Sequence, residues 1–114
     1  MLVDDDHDNS LIFKIGLKDA GFEVDAYNDS GMALSAFKPN YYDLLILDIR
    51  MPKMDGYELY KKIKKKDDKV KVCFLTTSEK YKEEHRPSSS GCFLIKPITI
   101  DDLVNKVNEM VKQK

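Results

Sequence analysis

The chain has 114 residues, a length typical of one domain, and 42% of them are hydrophobic, which is enough for one core. Charged residues make up 34% and the net charge is −1, so overall electrostatics gives no case for nucleic-acid or membrane binding. No apolar run approaches the roughly 20 residues of a membrane span, and the early acidic run Asp4–Asp6 does not fit a signal peptide.

The first residues predict a short strand followed by a helix. Met1–Val3 is a very short apolar run, which predicts a first strand. Residues from about Ser10 to Ala20 have a helical pattern, with Leu11, Ile12 and Ile15 on one face. The first β-α unit is therefore expected within the first 20 residues.

A second β-α unit and a third strand follow. Phe22–Tyr27 alternates apolar and polar residues, as a half-buried strand does. The next helix can be capped by Asp29 or Ser30 and is ended by Pro39. Leu44–Leu47 is continuously apolar and indicates a third strand buried on both faces.

The second half continues the alternation. A helix is predicted from Tyr57 to about Lys65, a fourth strand at Val70–Leu75, a fifth at Phe93–Ile95, and a last helix from Thr99. Between the last two strands, Glu79–Gly91 should hold a fourth helix, but its Pro, Ser and Gly residues predict a short or irregular one. Repeated β-α units imply an α/β fold, a doubly wound parallel sheet with helices on both faces.

Three carboxylates are expected to meet at one edge of this sheet. Asp48 directly follows the third strand, at the carboxyl end where open α/β sheets place their active sites. Taken alone, it could be a metal ligand, a nucleophile or a helix cap. Asp4 and Asp5 follow the first strand, which neighbours the third in a doubly wound sheet. Such a cluster would take up protons unless a hard cation binds, and oxygen ligands favour Mg²⁺ or Mn²⁺.

Two further polar side chains are expected at the same edge. Thr76 ends the fourth strand and Lys96 ends the fifth. A metal ion and a lysine can neutralise charge on a transferred phosphoryl group, while a hydroxyl donates one hydrogen bond. Each residue alone is typical of an ordinary strand end or surface lysine, but together they indicate phosphoryl transfer.

The two cysteines point to a reducing environment. Cys73 and Cys92 each lie inside an apolar run, and a disulfide framework would need more cysteines and fewer core residues. We expect buried thiols and a cytoplasmic protein.

With these residues considered, the chain resembles the receiver domain of two-component response regulators over essentially its whole length, as a single domain of residues 1–114. The resemblance depends on an ordered set of motifs: Val3-Asp4-Asp5, Leu47-Asp48, Met51-Pro52, Asp55-Gly56, Thr76 and Lys96-Pro97. It implies a flavodoxin-like, five-stranded parallel sheet in the order 2-1-3-4-5 and a cis peptide bond at Lys96-Pro97.

The resemblance also implies the chemistry of the acidic cluster. Asp48 would be the phosphoacceptor that attacks phosphorus held on a kinase histidine. Asp5 would bind Mg²⁺ directly and Asp4 mainly through water, while Asp48 and the backbone carbonyl of Arg50 would complete the protein ligands.

A switch is implied as well. Lys96 would pair with Asp48 and then with the phosphoryl group. Thr76 would move toward that group, and Phe93, at the aromatic switch position, would turn inward. The expected partners are a sensor histidine kinase or phosphotransfer protein and an unknown output protein, with the chain a monomer or weak dimer. It would catalyse only its own phosphorylation and dephosphorylation.

Other functions are less compatible with these residues. A haloacid-dehalogenase phosphatase needs a second acid two residues after the nucleophile, where this chain has Arg50. A flavodoxin-type flavin carrier would bind phosphate in its first loop, which here is acidic. The remaining alternative is a receiver-like interaction module that works without phosphorylation, since residues 77–91 depart from the family pattern. The short first strand is a further departure and bears on sheet stability.

Overall fold

A computed structural model of the chain describes residues 1–77 and 92–112. The strands in these ranges are β1 (Leu2–Val3), β2 (Ala26–Tyr27), β3 (Leu44–Asp48), β4 (Lys71–Thr76) and β5 (Cys92–Ile95). The helices are α1 (His7–Asp19), α2 (Ser30–Ala36), α3 (Gly56–Lys64) and α4 (Ile100–Lys112). The helix predicted within Glu79–Gly91 lies outside the described residues. Within those ranges, no helix has both the length and the apolar character that crossing a membrane requires.

The five strands form one parallel sheet in the order β2-β1-β3-β4-β5, which confirms the predicted doubly wound topology. β3 lies at the centre, and its side chains alternate between two buried faces. Leu45 and Leu47 face the core beneath α2 and α3, while Leu44 and Ile46 face the core beneath α1 and α4. Burial on both faces explains why the β3 sequence is continuously apolar rather than alternating.

β2 is shorter than the sequence predicted. The expected strand was Phe22–Tyr27, but only Ala26 and Tyr27 pair with a neighbour, opposite Leu2 and Val3 of β1. Because β1 is this short, the residues before Ala26 have few partners for a ladder. Phe22 instead packs half-buried against the core on the α1 and α4 side.

α1 begins earlier and is rotated differently from the expectation. Asp6 caps the helix by accepting hydrogen bonds from the backbone N–H groups of Asp8 and Asn9, so the helix starts at His7 rather than near Ser10. Its buried positions are Ser10, Phe13 and Leu17. The apolar face identified from the sequence points to solvent instead, and its members are more than half exposed: Leu11, Ile12 and Ile15.

The other helix starts agree with the sequence to within about a residue. Asp29, one of the two candidate caps, accepts from the backbone N–H of Met32 at 2.9 Å and starts α2. Asp55 caps α3 through the N–H of Glu58. Thr99 accepts from the N–H of Asp102 at the start of α4. These caps fix where each helix leaves the sheet edge that carries the predicted site.

Candidate functional site

The acidic run after β1 divides into residues with different roles. Asp4 is fully buried, and its carboxylate accepts hydrogen bonds from the backbone N–H of Asp6 at 3.0 Å and from Lys96 Nζ at 3.2 Å. Its backbone carbonyl accepts from Asn28 Nδ2 at 2.7 Å. Asp5 is exposed at the rim, and Asp6 is used as the helix cap. One tripeptide thus supplies a fixed carboxylate, an accessible one and a helix start.

Asp48 completes a cluster of three carboxylates. It is buried at the carboxyl end of β3, and one carboxylate oxygen each from Asp4, Asp5 and Asp48 lie within 4.8 Å of one another. Burial, followed by the negative charges of Asp4 and Asp5, raises the pKa of Asp48 to about 7, while the charge of Lys96 acts in the opposite direction. Ionising Asp48 in this cluster therefore costs free energy unless additional positive charge is present.

Lys96 supplies part of that charge from the other side of the site. Its ammonium lies 3.2 Å from Asp4 and 3.6 Å from Asp48, with the side chain largely buried. Its backbone N–H donates to the carbonyl of Thr76 at 2.7 Å, which joins the ends of β4 and β5. The Lys96-Pro97 bond is cis, as the resemblance implied.

Thr76 and Phe93 lie on the two strands beyond β3. Thr76 is buried at the end of β4, one residue past Leu75, which pairs with Asp48 across the ladder. Phe93 is half-buried in β5, and its ring centroid lies 5.4 Å from that of Phe74. The sheet register therefore places a hydroxyl-bearing residue beside the acidic cluster and an aromatic residue near the opposite end of β5.

The aromatic group around Phe93 was not apparent from the sequence. Tyr57, near the start of α3, lies 4.8 Å from Phe74 and 6.3 Å from Phe93 between ring centroids. These three rings come from three separate elements, so nothing in the local sequence signals their contact. They link the α3 side of the site to β5.

The loop after Asp48 depends on a close approach of two backbone segments. The N–H of Gly56 donates to the carbonyl of Ile49 at 2.8 Å, and a Cβ at position 56 would collide with the backbone carbonyl of Asp48. A glycine is therefore required there. Arg50, whose carbonyl was predicted to bind metal, lies in this loop with its side chain exposed.

Comparison with known proteins agrees with this geometry. The family model described as the response regulator receiver domain matches residues 1–108. The chain belongs to the response regulator receiver domain family. Receiver domains are the phosphoacceptor modules of two-component signalling, and the sequence resemblance to them is thereby confirmed.

Relatives and solved structures show the same relationship. This receiver domain is 34% identical over 113 residues to the Sensor protein EvgS of Escherichia coli K12, covering 96% of this chain and 9% of that protein. The receiver domain of the Francisella response regulator 1452 is 31% identical, with a TM-score of 0.85 over 97% of this chain and 93% of that one. Response regulator TrrA of Thermotoga maritima, solved in complex with Mg(2+)-BeF, is 29% identical, with a TM-score of 0.83 over 96% and 95% of the two chains.

Proposed function

We propose that Asp48 accepts a phosphoryl group from a phosphohistidine in a Mg²⁺-dependent reaction, and that the resulting acyl phosphate switches a partner-binding face. The observation that carries this proposal is the cluster of Asp4, Asp5 and Asp48, with Lys96 in contact with two of its members. Such an arrangement presents a carboxylate nucleophile and fixed positive charge at one open edge of a sheet.

The side chains divide the work of the transfer. An Asp48 oxygen attacks phosphorus as the bond from phosphorus to the donor histidine nitrogen breaks. Lys96, already beside Asp48, can follow the negative charge onto the phosphoryl oxygens. Asp48 must be ionised to attack, and its pKa of about 7 in the metal-free site means that added positive charge increases the reactive fraction near neutral pH.

The residues present fit a hard divalent cation. All three carboxylates offer oxygen, their mutual repulsion is only partly offset by Lys96, and Asp5 remains accessible from solvent. Asp4, Asp5, Asp48 and the backbone carbonyl of Arg50 would hold Mg²⁺, or alternatively Mn²⁺. The bound ion would neutralise charge that develops on the transferred group.

A change at Asp48 has a physical route to the surface. A phosphoryl group adds negative charge and three acceptor oxygens beside Thr76 at the end of β4. Movement of Thr76 would disturb the adjoining end of β5, and Phe93 packs against Phe74 and Tyr57 further along that strand. We propose that Thr76 and Phe93 act together as the switch, with an unidentified output protein as reader.

The exposed apolar face of α1 is proposed as the docking surface for the phosphodonor, a sensor histidine kinase or phosphotransfer protein. This face consists of Leu11, Ile12 and Ile15. Large apolar side chains that are grouped together and this exposed often mark a surface that binds another protein. A groove of about 380 Å³ connects Ile12 with Lys96 and the exposed Thr77. A protein covering this face would therefore reach the edge where Asp48 lies.

A cytoplasmic location remains a prediction.

Intact-mass measurement tests the central proposal. With Mg²⁺ and acetyl phosphate, the parent protein should gain the mass of one phosphoryl group, and Asp48→Asn should not. Asp43→Asn is a matched control because Asp43 is exposed just before β3, at the opposite end of that strand. The proposal fails if the parent gains no mass, an outcome that would instead favour an interaction module working without phosphorylation.

A further inference from the structure

We propose that Cys73 and Cys92 are a redox modification site, at which a reversible disulfide forms within the chain between β4 and β5. They are the two cysteines of the sequence, so a disulfide within this chain can join only these residues. Both are buried thiols that no disulfide joins in this structure, in agreement with the sequence prediction of buried thiols.

The strand register brings the two sulfur atoms together. Cys73 and Cys92 are direct partners in the parallel ladder, so their side chains project from the same face of the sheet. The Cys73 thiol donates to Cys92 Sγ across 2.7 Å. Neighbouring strands lie about 4.8 Å apart, within the range of Cα separations that disulfides span. Bond formation therefore requires only a local adjustment of the strands.

Accessibility indicates the order of the reaction. Cys73 is 1% exposed and Cys92 is 9% exposed, at the start of β5. The hydrogen bond to Cys92 and burial both raise the pKa of the Cys73 thiol, which disfavours it as the first thiolate. Cys92 is therefore the sulfur that meets the oxidant first, and Cys73 is the resolving thiol.

A peroxide suffices as oxidant. The Cys92 thiolate attacks one peroxide oxygen, the O–O bond breaks, and the departing hydroxide takes up a proton to become water. The Cys73 sulfur then attacks Cys92 Sγ of the sulfenic acid, loses its proton, and releases the second oxygen as water. Two thiols are oxidised by two electrons, one peroxide is reduced, and an external dithiol reverses the reaction by exchange.

The bond would couple redox state to the phosphoryl site, a consequence that depends on the function proposed above. Thr76 follows Cys73 by three residues and Lys96 follows Cys92 by four. A covalent link between these strands restrains the relative movement of their carboxyl ends. Asp4 and Asp5 follow β1 and Asp48 ends β3, so the bond does not directly constrain these three residues. We expect the oxidised protein to bind Mg²⁺ as before but to be phosphorylated more slowly.

Peptide mapping of the native parent protein tests the bond itself. After treatment with hydrogen peroxide, quenching and alkylation, intact mass should fall by two hydrogen atoms, with no thiol left to alkylate. Tryptic digestion should then join peptide 72–80, which contains Cys73, to peptide 83–106, which contains Cys92. Dithiothreitol should restore both thiols. Two unreacted thiols, over-oxidation of Cys92 alone, or linkage only between two copies would each overturn the proposal.

Variants test the order of attack and separate this proposal from the previous one. Cys73→Ser should accumulate a sulfenic acid at Cys92 that is trapped by dimedone, whereas Cys92→Ser should react far more slowly, with circular dichroism confirming that both are folded. If the two variants reacted with peroxide at the same rate, the assignment of Cys92 as the first sulfur to be oxidised would be wrong. The mass and peptide results do not depend on phosphorylation, so a reduced protein that fails to accept a phosphoryl group would refute only the proposed function.

Discussion

Replacing Asp48 by asparagine is expected to change how the stability of the metal-free protein depends on pH. In the folded protein the pKa of Asp48 is raised to about 7, from an ordinary value of 3.8 that applies in the unfolded chain. Between these two values the folded state binds more protons than the unfolded state. The contribution of Asp48 to the free energy of unfolding is therefore greatest below about pH 4 and falls as pH rises toward 7.

The magnitude follows from the size of the shift. Three pKa units correspond to ~4 kcal/mol at 1.36 kcal/mol per unit. Asp48 lies at the open edge of the sheet beside the exposed Asp5, where solvent lowers the cost of ionisation, so about half of that value, roughly 2 kcal/mol, is the expected loss. Asparagine has a similar shape and carries no charge. At pH 8 the variant should therefore be more stable than the parent by about 2 kcal/mol, with little difference near pH 4.

Urea unfolding with EDTA at pH 4, 5 and 8 measures this difference. The comparison between the two proteins matters because other groups titrate in the same range; burial lowers the pKa of the Met1 amine to about 6, for example. Adding Mg²⁺ should stabilise the parent more at pH 8 than at pH 5, since binding favours ionised carboxylates, and should stabilise the variant less. Parallel pH profiles for the two proteins would refute the electrostatic account of Asp48.

Three other substitutions test the loop, the cation and the docking face. Gly56→Ala should reduce stability by about 1–3 kcal/mol in urea, because its Cβ would meet the carbonyl of Asp48; an unchanged midpoint would contradict the close approach. Lys96→Met should keep the aliphatic stem but slow phosphorylation by acetyl phosphate at least roughly tenfold by intact mass, and an unaltered rate would remove Lys96 from the mechanism. Ile12→Glu should slow transfer from a protein phosphodonor but not from acetyl phosphate, whereas Met32→Glu, at a residue that is also more than half exposed but lies on α2, should affect neither; equal effects of both would argue against α1 as the docking face.

Where the sequence was misleading, the outcome depended on neighbours that local patterns do not contain. Phe22–Asp25 alternates as a strand should, yet a strand needs a partner, and β1 supplies ladder positions only at Leu2 and Val3. The apolar residues of α1 similarly occupy more than one face. Packing against α4 and the sheet buries Phe13 and Leu17, so Ile12 and its neighbours are left in solvent.

The acidic site was easier to predict because it depends on topology more than on packing. The order β2-β1-β3-β4-β5 brings the carboxyl ends of β1, β3, β4 and β5 to one edge in succession. Residues that end those strands must then meet, whichever way the helices are rotated. The contact of Cys73 with Cys92 follows from the same ladder but needs the register as well as the order. Strand order therefore determines which polar groups share this edge of the sheet. Register and helix rotation determine which buried groups and which exposed helix faces can regulate the site there.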